Sequence, residues 1–340
     1  MIKIVGLGAG NLDQMPYGIY KLLQSEAHVY LRTDEHPVVA ELGLNYTSFD
    51  HVYERFGTFE EVYDEITKTL LAANTNDDII YAVPGHPMVA ERVVQLLIAS
   101  DAEVEIIGGQ SFIDAMFTTL KIDPIEGFAM YDATDFDPES ITLHHHTIFC
   151  QVYNNEMASN IKLPLLDILP PEFEVYLVTA AGTRLEMVKK VLLSELDFEA
   201  ELNNLTSVYI PPVSKDLLKH ELSFLRGVMR ELRGANGCPW DKEQTHESLK
   251  KYLIEETGEL LEALAGEDDD HIVEELGDVL LQVMFHAQIG EEDGYYNIND
   301  VIRTLSEKLI RRHPHVFGEL KASTSEEVLA IWNEVKNSEK

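Results

Sequence analysis

Strand signals end abruptly in this chain. Up to Pro211-Pro212, short β-branched apolar runs alternate with segments of helical period: Lys3 to Leu7, His28 to Arg32, Asp78 to Val83, Val104 to Ile107, Thr147 to Tyr153 and Glu174 to Thr179. Beyond it only a 3.6-residue period remains. A chain with that break folds as an α/β part followed by an all-α part. We place the boundary at residues 213/214, giving domains 1–213 and 214–340, and a length of 340 residues suits two domains.

Charge restricts the partners. Lys and Arg total 26 and Asp and Glu 60, a formal net charge of −34. A nucleic-acid or membrane footprint needs a basic face, so neither is expected. No apolar run approaches the roughly 18 to 20 residues of a membrane span. The first residues, Met1-Ile2-Lys3-Ile4-Val5-Gly6, enter a strand without the apolar core of a signal peptide. Cys150 and Cys238 lie far apart and form no CxxC, so neither a disulfide framework nor a zinc knuckle is indicated. The expectation is a cytoplasmic protein.

The first strand runs into Gly6-Leu7-Gly8-Ala9-Gly10-Asn11. A dinucleotide fingerprint would need GxGxxG, and Asn11 stands where the third glycine belongs. Helix is also delayed past Pro16, which argues against NAD. Two more glycine-bearing turns, Pro84-Gly85-His86-Pro87-Met88-Val89 and Gly108-Gly109-Gln110-Ser111-Phe112, follow strands. Three such turns at carboxyl ends of strands are what a ligand crevice in an open α/β sheet uses.

With Glu91 and Arg92 after the second turn and VTAAGT at 178 to 183, residues 1 to 213 resemble the tetrapyrrole methylase family. The resemblance implies a two-lobed α/β fold that binds S-adenosylmethionine, with Gly6, Gly8, Gly10, Gly85, His86, Val89, Ser111 and Phe112 as cofactor contacts and an unknown methyl acceptor. One departure stands out: the family's second turn is PGDP, and here the aspartate is His86. An imidazole can hydrogen-bond a ligand but carries no permanent negative charge. His144-His145-His146 invites a metal reading. In a strand, however, His144 and His146 share a face and His145 points away, so the run reads as polar strand entry.

The second part opens on a helix with Ser214 as N-cap, apolar residues at Leu218, Leu222, Leu225, Met229 and Leu232, and Gly234 as its end. Lys219, Arg226, Arg230 and Arg233 form a basic stripe, either a solvated face or a contact for phosphate or an acidic partner. Tyr252 to Ile302 then holds 15 acidic residues and no Lys or Arg. A solvated face normally intersperses bases. Leu253 to Leu264 reads as a helix with Ile254, Leu261 and Leu264 inward. His271 to Gln288 reads as another, with Ile272, Leu276, Val279, Leu280 and Val283 inward. The link at 265–270, with its acidic run Glu267 to Asp270, is short, so the two helices are expected antiparallel. Glu256 and Glu259 are one turn apart, as are Glu275 and Asp278, and packing can bring the four carboxylates together. Oxygen ligands of that kind suit Mg²⁺ or Mn²⁺.

GCPWDKEQTHESL at 237 to 249, YLIEETGELLEAL at 252 to 264, EELGDVLLQVMFHAQI at 274 to 289 and KLIRRHPHVFG at 308 to 318 resemble the MazG family of nucleoside triphosphate pyrophosphohydrolases. The resemblance implies metal binding and catalysis by Glu256, Glu259, Glu275 and Asp278, with Glu255 and Glu262 orienting ligands or water. Lys242, Lys250, Lys308, Arg311 and Arg312 are phosphate-binding candidates. Trp240 either stacks on a base or anchors the turn after Pro239. Some members carry two such modules; this chain holds one, which leaves a missing repeat or a truncated chain open.

The whole chain thus resembles the bifunctional YabN-type arrangement. It implies Mg²⁺-dependent hydrolysis of a nucleoside triphosphate to the monophosphate and pyrophosphate, beside a methylase-like half, in a homodimer. The alternative is a regulatory or assembly protein with an inactive MazG module and a cofactor-sensing first half.

Overall fold

In a computed structural model of the chain, all residues are described except 26, 76, 199–200, 267 and 339–340, with the side chain of 338. Glu267, in the expected acidic link, therefore lies outside the described residues. The chain divides into two compact units, Met1–Leu217 and Leu218–Lys340. No helix among the described residues is long and apolar enough to cross a membrane.

The first unit begins with a parallel sheet of β1 (Ile2–Gly6), β2 (His28–Leu31), β3 (Tyr46–Ser48), β4 (Ile79–Val83) and β5 (Val104–Gly108), in the order β3-β2-β4-β1-β5. Every residue of β4 is buried, as expected of a strand covered on both faces. On one face Ile66, Leu70, Val93 and Leu97 pack from α4 (Phe59–Asn74) and α5 (Arg92–Ile98). On the other, Ile19, Leu23, Val38 and Leu42 pack from α1 (Tyr17–Leu23) and α2 (Pro37–Leu42). A short α3 (Asp50–Arg55) precedes α4. The chain leaves β1 toward β2 on one side and returns to β5 on the other. This reversal puts a switch-point crevice outside the carboxyl ends of β1 and β4.

After α6 (Phe112–Leu120) comes a second, mixed sheet in the order β6-β7-β10-β8-β9, built from β6 (Phe128–Asp132), β7 (His146–Cys150), β8 (Glu174–Thr179), β9 (Met187–Leu192) and β10 (Thr206–Ile210). Only β6 and β7 pair in parallel. Helix α7 (Asn155–Leu166) lies between β7 and β8 in sequence. The six expected strands are present, and β3, β6, β9 and β10 are additional.

The second unit is helical: α8 (Leu222–Arg233), α9 (Pro239–Glu243), α10 (His246–Gly266), α11 (Asp269–Glu292), α12 (Ile298–Arg312), α13 (Pro314–Phe317) and α14 (Ser325–Ser338). Helices α10 and α11 pack along each other and are joined by too short a link to be anything but antiparallel. Two expectations need correction. Ser214 does not cap α8: its carbonyl closes a 3₁₀ turn at Lys215–Leu217, and α8 starts after Glu221. Gly234 does end α8, in extended backbone.

The inward face of α10 and α11 also differs from the expected one. Ile254 is 74 % exposed, Leu261 65 % and Leu276 51 %, and Leu264, Leu280 and Val283 are exposed as well. The core forms instead from Met229, Leu249, Met284, Phe285, Ala287, Ile289 and Ile298. The apolar stripe is real, but α8 and α12 cover only the carboxyl-terminal half of α11. Along the rest of α11, Leu276 and Leu280 stay exposed beside α10.

Candidate metal centre and ligand crevice

The hairpin of α10 and α11 positions the acidic residues. Helical spacing puts Glu256 and Glu259 on one face of α10, and Glu275 comes to them from α11. One carboxylate oxygen from each of the three lies within 4.8 Å of the other two. Burial, followed by the charges of Asp278, Glu259, Glu255 and Glu275, raises the Glu256 carboxyl above its ordinary value. Asp278 is thus felt at Glu256, although its oxygens are not among the converging three. Glu255 and Glu262 are exposed.

Glu275 is 7 % exposed. Its Oε1 is 3.2 Å from Nε2 of His271, and its Oε2 is buried with no hydrogen-bond partner among the described residues. A buried carboxylate oxygen left unpaired beside two further carboxylates is costly, and a hard divalent cation is the partner such oxygens fit. The residues therefore suit Mg²⁺ or Mn²⁺.

The basic candidates divide. Lys242 donates to the carbonyl of Ala235 at 3.0 Å, and Lys250 pairs with Glu247. Lys308, Arg311 and Arg312 lie together toward the end of α12. The Arg312 guanidinium sits over the ring of Trp332 on α14 at 5.3 Å, and His313 meets that ring edge-on at 5.1 Å. Trp332 escaped the sequence reading, since nothing near it in the chain marks it apart from core. Trp240 meets Tyr252 and Phe285 edge-on, at 5.7 and 6.4 Å, and stays 49 % exposed. It is an anchor with an open side. Of the expected basic stripe, Lys219 precedes α8, while on the helix Arg226 and Arg230 pair with Glu291, and Arg233 with Glu292. These pairs clasp α8 to the end of α11.

In the first unit the glycine turns converge. Gly8 and Gly85 exchange backbone hydrogen bonds of 3.2 and 2.9 Å. A Cβ on Gly6 would sit 2.1 Å from the Gly85 carbonyl oxygen, and one on Gly109 2.7 Å from the Gly6 Cα. Only glycine permits this approach. At the turn of 84–87, Nδ1 of His86 accepts the Met88 N–H at 3.1 Å. The imidazole thereby replaces the carboxylate of an Asx turn. Val89 N–H bonds the His86 carbonyl. Ser111 caps α6 in a capping box with Asp114, and Phe112 is the first residue of that helix. Close to Gly10, Gln14 donates to the Gly182 carbonyl at 3.1 Å, joining the first turn to the loop after β8.

His36 is a further support that the sequence did not announce. Its Nε2 donates to the Gly8 carbonyl at 2.9 Å and its Nδ1 accepts the Val38 N–H, while burial lowers its pKa. Behind the 84–87 turn, Glu91 pairs with Arg32 at 3.2 Å. Burial pushes Glu91 up to about 7 against the opposing pull of Arg32. In the histidine run, His145 bonds the Glu126 carbonyl, and Nδ1 of buried His146 lies 2.7 Å from the Tyr209 hydroxyl. Among the described residues the run joins no group of three metal-ligating atoms.

Comparison with known proteins agrees with both halves. The model of the Tetrapyrrole (Corrin/Porphyrin) Methylases matches residues 1–197, and that of the MazG nucleotide pyrophosphohydrolase domain matches residues 244–317. Bacillus subtilis (strain 168) YabN, itself described as uncharacterized, is 53 % identical over 347 residues, covering 100 % of this chain and 71 % of that protein. The Thermotoga maritima nucleoside triphosphate pyrophosphohydrolase/pyrophosphatase MazG is 57 % identical over 116 residues, 34 % of this chain and 44 % of its own. The Escherichia coli (strain K12) nucleoside triphosphate pyrophosphohydrolase is 48 % identical over 122 residues, 36 % of this chain and 46 % of its own. The chain thus spans less than half of these two relatives. Among solved structures, uroporphyrin-III-C-methyltransferase from Thermus thermophilus matches with a TM-score of 0.50 at 19 % identity, over 62 % of this chain and 94 % of that one. At that identity the likeness concerns the fold.

Proposed function

The chain belongs to the tetrapyrrole methylase family and carries a MazG-type domain after the methylase fold, and from that premise we propose that its helical unit hydrolyses nucleoside triphosphates to the monophosphate and pyrophosphate. The observation that carries the reading is the group of Glu256, Glu259 and Glu275, with its buried, unpaired oxygen. These residues, with Asp278 beside them, would hold Mg²⁺ or Mn²⁺. When bound, the ion neutralises phosphate charge and lowers the pKa of water.

In the reaction, a water oxygen bonds to the α-phosphorus, the bridging bond to the β-phosphate breaks, and pyrophosphate leaves. Glu255 and Glu262 stand close by in sequence to orient water and take its proton. Lys308, Arg311 and Arg312 supply donors to the phosphate oxygens, and the open side of Trp240 receives the base. Lys242 and Lys250, which bond the Ala235 carbonyl and Glu247, are further phosphate candidates.

The first unit, on the same proposal, binds S-adenosylmethionine at the three turns and passes its methyl group to an acceptor. Gly6, Gly8, Gly10, Gly85, His86, Val89, Ser111 and Phe112 would line that crevice, with the His86 Nε2 available as a donor. The exposed apolar face of α10 and α11 supports a homodimer.

Pyrophosphate release from a mixed pool of nucleoside triphosphates tests the hydrolase. Wild-type protein is expected to release it only with Mg²⁺ or Mn²⁺, and Asp278→Asn to lose at least about 100-fold, the scale of one removed transition-state contact. No metal-dependent release would leave the regulatory reading.

A further inference from the structure

His271 is an odd residue for its place. It occupies the first turn of α11, after the N-cap Asp268, whose side chain accepts the His271 N–H. The helix dipole favours acids there, which accounts for Asp269 and Asp270 but not for an imidazole. One helical turn on, His271 Nε2 reaches Oε1 of Glu275 at 3.2 Å. The other oxygen of that carboxylate is the one left buried and unpaired. The ring itself is half exposed, so it adds little to the core.

We propose that His271 is a positioning residue that holds Oε1 of Glu275 and thereby aims Oε2 at the cation shared with Glu256 and Glu259. The inference rests on the metal reading above. A buried carboxylate on α11 can turn about its last bond and offer either oxygen. With Oε1 held by the imidazole, one oxygen is committed and the other is free to ligate. Outer partners of this kind fix ligand orientation, and removing one weakens metal binding by about 10- to 100-fold. Because His271 and Glu275 share one helix, the arrangement exists before any cation arrives.

Calorimetric titration of the metal-free full chain with Mn²⁺ tests this, with paramagnetic resonance of the bound ion as a second readout. His271→Ala is expected to bind Mn²⁺ about 10- to 100-fold more weakly with unchanged helical signal and melting before metal is added. His271→Gln keeps a donor on the same turn and should recover most of the affinity. Glu275→Gln should lose nearly all of it. Wild-type affinity in His271→Ala would overturn the positioning role. So would equal losses in the Ala and Gln variants together with nitrogen coupling in the wild-type resonance, since the imidazole would then be a ligand. Wild-type protein that fails to bind Mn²⁺ at millimolar concentration would overturn the metal reading itself, a different outcome from either.

Discussion

Glu91 is a carboxyl that the fold takes out of water. Its carboxyl is 7 % exposed, paired with Arg32 and raised from 4.5 to about 7 by burial. A carboxyl raised on folding binds its proton more tightly in the folded chain, so its contribution is greatest below about pH 4.5 and is lost as pH rises through about 7. Wild type should therefore gain on Glu91→Gln in urea unfolding as pH falls from about 8 to about 5, by at most about 3 kcal/mol. Parallel profiles for the two proteins would refute the shift. At this scale the sequence was readable where chemistry repeats at helical spacing without counter-charge, as for Glu256, Glu259 and Glu275. It was silent on Gln14, His36, His271 and Trp332. Each of these acts on a residue brought near by the fold, or on an oxygen whose lack of a partner only the packed structure shows.

Among the elements, the strands recognised in advance were mainly buried ones. β4 is buried throughout and reads as a continuous apolar run. β9 was invisible because Met187, Val188, Lys189 and Lys190 are all exposed, with no alternation to detect. β3 is only three residues long, and β6 is a half-covered edge strand. β10 is wholly buried, but its short Thr-Ser-Val-Tyr-Ile run before two prolines falls outside a search for longer apolar stretches. The turns were legible through their glycines, and their rigidity makes a prediction. Gly6→Ala places a Cβ against the Gly85 carbonyl and should cost more than about 2 kcal/mol, with loss of S-adenosylmethionine binding. Gly18→Ala, at an exposed position of α1 with nothing among the described residues within 4 Å, should change stability by less than about 1 kcal/mol. Thermal melting of the two variants side by side checks the pair, and equal effects would contradict the close approach.

Over the whole molecule, the change of period at Pro211-Pro212 announced two kinds of structure. What it could not announce was which apolar residues a single chain would cover. Ile254, Leu261, Leu276 and Leu280 follow helical spacing and still lie on the surface, because period reports an apolar face and says nothing of what buries it. On the proposed reading a second copy covers this face. Light scattering at micromolar concentration should give twice the chain's 38.5 kDa, and Leu276→Glu should shift it toward the monomer. A monomeric wild type would remove the dimer.

The convergence of Glu256, Glu259 and Glu275 is what a shared divalent cation would use. Cation binding there is tested most directly by melting metal-free protein against rising Mg²⁺ in wild type and Glu259→Gln. Wild type should gain stability by mass action once Mg²⁺ passes its dissociation constant, by roughly 2.7 kcal/mol at a hundredfold excess over it. Glu259→Gln, relieved of like-charge repulsion, should melt no lower than wild type without metal and should respond little to Mg²⁺. Equal responses in the two proteins, no larger than a monovalent salt of matched ionic strength produces, would mean that these carboxylates hold no cation.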